Sequence, residues 1–79
     1  MSKVVLIIGA SKGIGLEMAR MLKNNGDIVY GTSRNPSKSP ITEIELIPLD
    51  VADMSSITKA IAHVIEKARR IDVLINNAG

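Results

Sequence analysis

Gly9-Ala10-Ser11-Lys12-Gly13-Ile14-Gly15 joins an unbroken apolar run, Val4 to Ile8, to a segment of helical periodicity, and the fold is read outward from that junction. The run has no polar alternation, so it predicts a strand buried on both faces, as in a parallel sheet. Downstream, Ile14, Met18, Met21 and Leu22 recur at helical spacing, with Glu17 near the start and Arg20 and Lys23 near the end to complement the helix dipole. Asn24-Asn25-Gly26 supplies a left-handed stop. A glycine-rich turn between a strand and a helix lets backbone approach an anion closely, and the free N–H groups of the helix start attract its charge.

Beyond the stop, Ile28 to Thr32 reads as a second strand. Ser33 to Thr42 carries Pro36 and Pro40 among polar residues, which is loop chemistry with little room for a helix. Glu43 to Leu49 reads as a third strand, and Pro48 favours a sheet edge because it cannot donate to a ladder. Asp53 stands where a helix N-cap belongs, and Ile57, Ile61, Val64, Ile65 and Ala68 mark the buried stripe of a second helix closed by Lys67, Arg69 and Arg70. Ile71 to Ile75 is the fourth strand. The succession predicts an α/β fold of three layers, a parallel sheet of about four strands in the order 3-2-1-4 with two long helices, as one half of a doubly wound unit with right-handed crossovers. Residues 1–79 form one domain, without repeats, linkers or low-complexity segments.

Composition narrows the function classes. A 79-residue chain buries only about 60% of its unfolded surface, so its stability margin is thin. With 46% hydrophobic and 23% charged residues it has the make-up of a folded globular protein. Tyr30 is its one aromatic residue, which argues against base stacking. The net charge of +2 comes from scattered cations, with Arg69-Arg70 the only adjacent pair, so no nucleic-acid face is expected. Without cysteine there is no disulfide or thiolate metal site, and His63 has no second ligand at metal spacing. No apolar stretch approaches a signal peptide or a membrane span, and a cytoplasmic location is expected.

Spacing decides which anion cradle the turn is. A P-loop counted from Gly9 needs its second glycine where Ile14 stands, and G-x-G-x-x-G counted from Gly13 and Gly15 needs a third where Met18 stands. Gly9, Gly13 and Gly15 fit G-x-x-x-G-x-G, and here the sequence resembles the short-chain dehydrogenase/reductase family, with Ile8 in place of the usual threonine before the first glycine. The resemblance implies a Rossmann-like fold and a nicotinamide dinucleotide held by Gly9, Ser11, Lys12, Gly13, Ile14 and Gly15. Asp50-Val51 is similar to the family's Asp-Val pair, which implies that the carboxylate bonds the adenine amino group while Val51 frames the ring. Asn76-Asn77-Ala78-Gly79 resembles the N-N-A-G motif, which implies that Asn76, Ala78 and Gly79 lie beside the cofactor ribose. All three motifs fall at C-terminal ends of strands, the edge where α/β ligands bind.

The end of the second strand bears on the cofactor. NAD-preferring relatives place an acid there; this chain has Ser33 followed by Arg34, and Lys12 adds a cation in the glycine turn. A guanidinium can hold a 2′-phosphate bidentately where a carboxylate would repel it, so NADP is expected rather than NAD.

Other residues take plainer readings: Tyr30 and the methionines at 18 and 21 as packing, His63 as facing solvent. The resemblance further implies hydride transfer assisted by a Ser and a Tyr-x-x-x-Lys that follow N-N-A-G in the family. These 79 residues contain no Tyr-x-x-x-Lys, and the polypeptide by itself is expected to be inactive. The apolar fourth strand is expected to present an open edge that promotes self-association, and part of one sheet face to be bare. The competing readings are a non-catalytic half-domain that grips adenine dinucleotides and an engineered fold sample without a ligand.

Overall fold

The computed structural model of the chain describes residues 2–38 and 43–77. Its elements are β1 (Val4–Ile8), α1 (Gly13–Asn24), β2 (Ile28–Ser33), a short 3-10 turn (Pro36–Lys38), β3 (Glu45–Pro48), α2 (Met54–Ala68) and β4 (Val73–Asn76). The four strands form one parallel sheet in the order β3-β2-β1-β4. Pro48 thus lies on an edge strand, where its missing N–H costs no ladder bond.

The unbroken apolar run becomes the sheet's centre. Every β1 side chain is buried: Val4, Leu6 and Ile8 pack on one face with Ala60 and Val64 of α2, while Val5 and Ile7 pack on the other with Ala19 of α1. The helices therefore cover opposite faces and the molecule has three layers. Burial of each large β1 side chain contributes about 1.5–3 kcal/mol, so this strand is the main apolar anchor of the fold. Tyr30 is half-buried against the α2-side core, as its packing role requires.

Both helices are rotated from the faces that the large apolar residues suggest. In α1 the buried positions are Gly15 and Ala19, flanked by Met18 and Leu22, whereas Ile14 and Met21 are 72% and 66% exposed. Met21 is therefore not core. Small side chains let the helix axis approach the sheet, and that close approach sets its rotation. In α2, Ala60 and Val64 are buried with Ile57 and Ala68 beside them, and Ile61 and Ile65 stay exposed. His63 is solvent-accessible but not free: its side chain is 38% exposed, its Nε2 meets Glu45 Oε2 on β3, and Lys67 Nζ reaches the other oxygen at 3.1 Å.

Caps explain where the helices begin and end. Asp53 caps α2, its Oδ1 accepting from Ser55 N–H at 3.0 Å. Glu17 lies outside the first turn of α1, which carries no acid and no side-chain cap. At the other end of α1, Gly26 N–H donates to Lys23 O and Asp27 N–H to Leu22 O, with Gly26 at φ 96°, which is a Schellman stop. Lys67 lies in the last turn of α2, while Arg69 and Arg70 lie beyond it.

Two strands differ from their expected bounds. Glu43 does not join β3, because its carboxylate pairs with Arg20 Nε at 2.6 Å and its carbonyl accepts from Lys23 Nζ, so α1 holds it. β4 starts at Val73 because Asp72 is spent on docking: its N–H donates to Val4 O and its Oδ2 accepts from Val4 N–H at 2.7 Å and Arg70 Nε at 2.9 Å.

Three carboxylates titrate below their ordinary values. The His63 hydrogen bond, then Lys67, lowers Glu45; the Ser55 hydroxyl and N–H lower Asp53; the Val4 N–H and Arg70 lower Asp72. A lowered native pKa means stability that is complete above the unfolded value and lost as protonation sets in. Thermal unfolding followed by circular dichroism should thus show a flat midpoint at neutral pH and a fall below the ordinary values of 4.5 and 3.8. A midpoint unchanged down to those values would contradict the assignment.

Candidate functional site

The C-terminal ends of β1 and β2, the turn into α1 and the segment after β3 enclose a cleft of about 560 Å³. The three glycines of the turn serve different needs. Gly9 and Gly13 adopt φ of 84° and 63°, left-handed values that cost a side-chain-bearing residue about 1–2 kcal/mol. Gly15 has ordinary backbone, but a Cβ there would lie 2.1 Å from Gly9 O and 2.6 Å from Asn77 Nδ2. The helix start is therefore pressed against the end of β1, and no side chain caps it. Its first N–H groups have no intrahelical acceptor, which suits them to an anion.

Gly9, Ser11, Lys12, Gly13, Ile14, Ser33, Arg34 and Val51 all line the cleft. Gly15 lies behind it as a packing residue. Asp50 is exposed beside it, with Oδ1 accepting from Ala52 N–H at 3.0 Å and its N–H donating to Ser56 Oγ. Asn76 closes β4 and is not a lining residue, and Ala78 and Gly79 lie outside the described residues.

Four lining residues were not among the expected cofactor contacts: Ile8, Thr32, Leu49 and Asn77, the last of them a member of the N-N-A-G motif. Ile8 and Leu49 form an apolar floor continuous with the α2-side core. Asn77 Nδ2 donates to Gly9 O at 3.0 Å, and its N–H donates to Ile8 O. Thr32 Oγ1 accepts from Gly9 N–H at 3.0 Å. The available signal was positional: Ile8 ends β1, Thr32 is the last residue but one of β2, and Leu49 and Asn77 directly follow β3 and β4, so all four stand where the strand ends meet the turn after β1.

The electrostatics have one sign. Among the described residues Lys12 and Arg34 line the cleft, and no carboxylate does. Among the described residues no group of His, Cys, Asp and Glu could hold a metal ion.

A parallel sheet with a glycine turn opening onto an uncapped helix at its C-terminal edge defines a Rossmann-like α/β unit. The chain belongs to the short chain dehydrogenase family, whose model matches residues 3–79. It is 46% identical over 77 residues to a 3-ketodihydrosphingosine reductase of Bacteroides thetaiotaomicron, covering 98% of this chain and 28% of that protein. It is 38% identical to a Dichelobacter nodosus protein named as a probable NADP-dependent dehydrogenase, covering 96% of this chain and 77% of that one. Among solved structures, ligand-free aldohexose dehydrogenase of Thermoplasma acidophilum matches with a TM-score of 0.89 at 32% identity, over 99% of this chain and 30% of that one. The chain thus spans under a third of the Bacteroides and Thermoplasma proteins.

Proposed function

We propose that residues 1–79 form one NADP(H)-binding unit of a short-chain dehydrogenase/reductase-like oxidoreductase, and that the polypeptide by itself does not catalyse hydride transfer. The observation that carries this reading is the pairing of Lys12 and Arg34 in a cleft without a carboxylate, with Ser33 where an acid would favour NAD. The residues present fit the cofactor. The N–H groups of the uncapped α1 start would hold the pyrophosphate, and Arg34, Ser33 and Lys12 the 2′-phosphate. Val51, Ile8 and Leu49 would frame the adenine, with the Asp50 oxygen not engaged by Ala52 accepting from its amino group. Asn76, Ala78 and Gly79 would border the ribose, as in the family. When bound, the nicotinamide would supply the hydride acceptor or donor. The name of the Dichelobacter relative agrees with the phosphate-bearing cofactor.

Calorimetric titration of the 79-residue polypeptide with NADPH and NADH tests the proposal. Binding of NADPH at least about tenfold tighter than NADH is the expected result, equivalent to the roughly 1.5–3 kcal/mol of a hydrogen bond to a charged group. Equal affinities would refute the NADP assignment, and no heat from either would refute the binding unit. NADPH oxidation with a carbonyl substrate would refute inactivity; its absence beside tight binding leaves the non-catalytic half-domain as the second reading.

A cytoplasmic location is proposed with the function: among the described residues no helix is long and apolar enough to cross a membrane. Self-association is proposed through β4, an edge strand whose Leu74 is 55% exposed. Unpaired ladder groups beside an apolar side chain invite another strand. Sedimentation should show dimers or larger species at micromolar concentration; a monomer throughout would overturn this.

A further inference from the structure

The Gly9 peptide is clamped from both neighbouring strands. Its carbonyl accepts from Asn77 Nδ2, beyond β4, and its N–H donates to Thr32 Oγ1, on β2, both at 3.0 Å. The carbonyl of Thr32 also accepts from Ala10 N–H at 3.0 Å, so one residue receives both of the first two N–H groups of the turn. Thr32 is the one buried polar side chain among the described residues, 1% exposed, although it lines the cleft. Leaving Gly9 N–H without this acceptor would be costly, because the donor is partly buried and Thr32 Oγ1 is the acceptor that the fold places beside it.

From this geometry we infer that Thr32 is a positioning residue for phosphate recognition. By fixing Gly9 in its left-handed conformation and Ala10 against β2, it turns the first two N–H groups of the loop away from the cleft. The later N–H groups, at the start of α1, are thereby held in place for the 5′-phosphate side of the ligand. Any hydrophobic residue would satisfy packing at this position; only a side chain with an acceptor oxygen satisfies Gly9. Arg34, by contrast, projects from the strand end and does not depend on the clamp, since neither Gly9 nor Thr32 bonds to it. The inference rests on the proposed dinucleotide site and deepens it.

The test separates the two ends of the ligand with 2′-AMP, which lacks a 5′-phosphate, and 2′,5′-ADP, which has one. Calorimetry on the wild-type chain, Thr32→Val and Thr32→Ser should show about tenfold weaker 2′,5′-ADP binding for the valine variant. Its 2′-AMP affinity should be unchanged, and the serine variant should restore 2′,5′-ADP affinity to within about twofold of wild type. A loss that falls equally on both ligands, or a serine variant as weak as valine, would mean that Thr32 acts only through packing and would overturn the inference. So would valine binding 2′,5′-ADP like wild type. Should Thr32→Val not fold, the serine variant and slow hydrogen exchange of the Gly9 amide in the free wild-type chain decide the matter; fast exchange there overturns it. Failure of wild type to bind either nucleotide would instead refute the dinucleotide site itself.

Discussion

Replacing Gly15 with alanine should destabilise the chain by about 0.5–3.5 kcal/mol and weaken the proposed nucleotide binding with it. Two effects oppose one another at this position. Alanine is about 1 kcal/mol better than glycine inside a helix, and Gly15 has ordinary backbone, so propensity alone predicts a gain. Against this stands a Cβ placed 2.1 Å from a backbone oxygen and 2.6 Å from Asn77 Nδ2. The first contact cannot be relieved by rotating a side chain; either α1 or the end of β1 must move. Overpacking typically costs about 1–3 kcal/mol, and displacing Asn77 from Gly9 O adds about 0.5–1.5 kcal/mol more. Crowding wins. In a small domain whose total stability is on the order of 5 kcal/mol, the upper end of that loss is more than half of the margin. Urea unfolding should show the drop in midpoint, and an unchanged or higher midpoint would show that the helix can withdraw without cost. Gly13→Asn is the informative companion: Gly13 needs φ of 63°, but a Cβ there meets nothing within 4 Å. Asparagine tolerates that conformation, so its cost should be smaller.

The contrast between these glycines marks what the sequence made legible. Element order, strand order and the cleft's location followed from the uninterrupted run at Val4 to Ile8, from Asp53 as a cap and from three motifs at strand ends, because each is a local pattern. Helix rotation was not legible, because it is set by where the chain is small: Gly15, Ala19 and Ala60 are what the helices bury, and periodicity of large apolar residues overlooks them. The start of β4 was shifted by the bonds between Asp72 and Val4, 68 residues apart in the chain. The Thr32 and Asn77 bonds to Gly9 span 23 and 68 residues. Such pairs form only once strands lie side by side, so no window along the sequence contains both partners. His63 is a further instance: its partner Glu45 sits on β3, 18 residues away. The motifs consequently pointed to residues that line the cleft, Gly9, Ser11, Lys12, Gly13 and Val51 among them, and left unmarked Thr32, which bonds the turn from β2.

Arg34→Asp should reverse the proposed cofactor preference, weakening NADPH by about 100-fold and strengthening NADH by up to about tenfold. Three contributions act in one direction. In the proposed complex a guanidinium that would donate two charge-assisted hydrogen bonds to the 2′-phosphate is lost, which alone would account for roughly 1.5–3 kcal/mol. A carboxylate then stands near the phosphate, and like charges repel. For NADH the same carboxylate gains two ribose hydroxyls as donors, the arrangement that acidic residues provide at this strand end. Arg34 follows β2 directly, and Asn35 N–H donates back to Ser33 Oγ at 3.3 Å, so a local bend fixes the direction in which residue 34 leaves the sheet. Because Arg34 is exposed, salt screens its charge, and the NADPH loss should shrink between low salt and about 0.15 M, where the Debye length is about 8 Å. Lys12 remains in the variant and limits the reversal, since it leaves one cation in a cleft that otherwise has none. Titration of both nucleotides at two ionic strengths is the decisive measurement. An NADPH-to-NADH ratio that the substitution leaves unchanged would show that the 2′-position of the ligand never meets residue 34, and the phosphate would then have to be assigned to Lys12 alone.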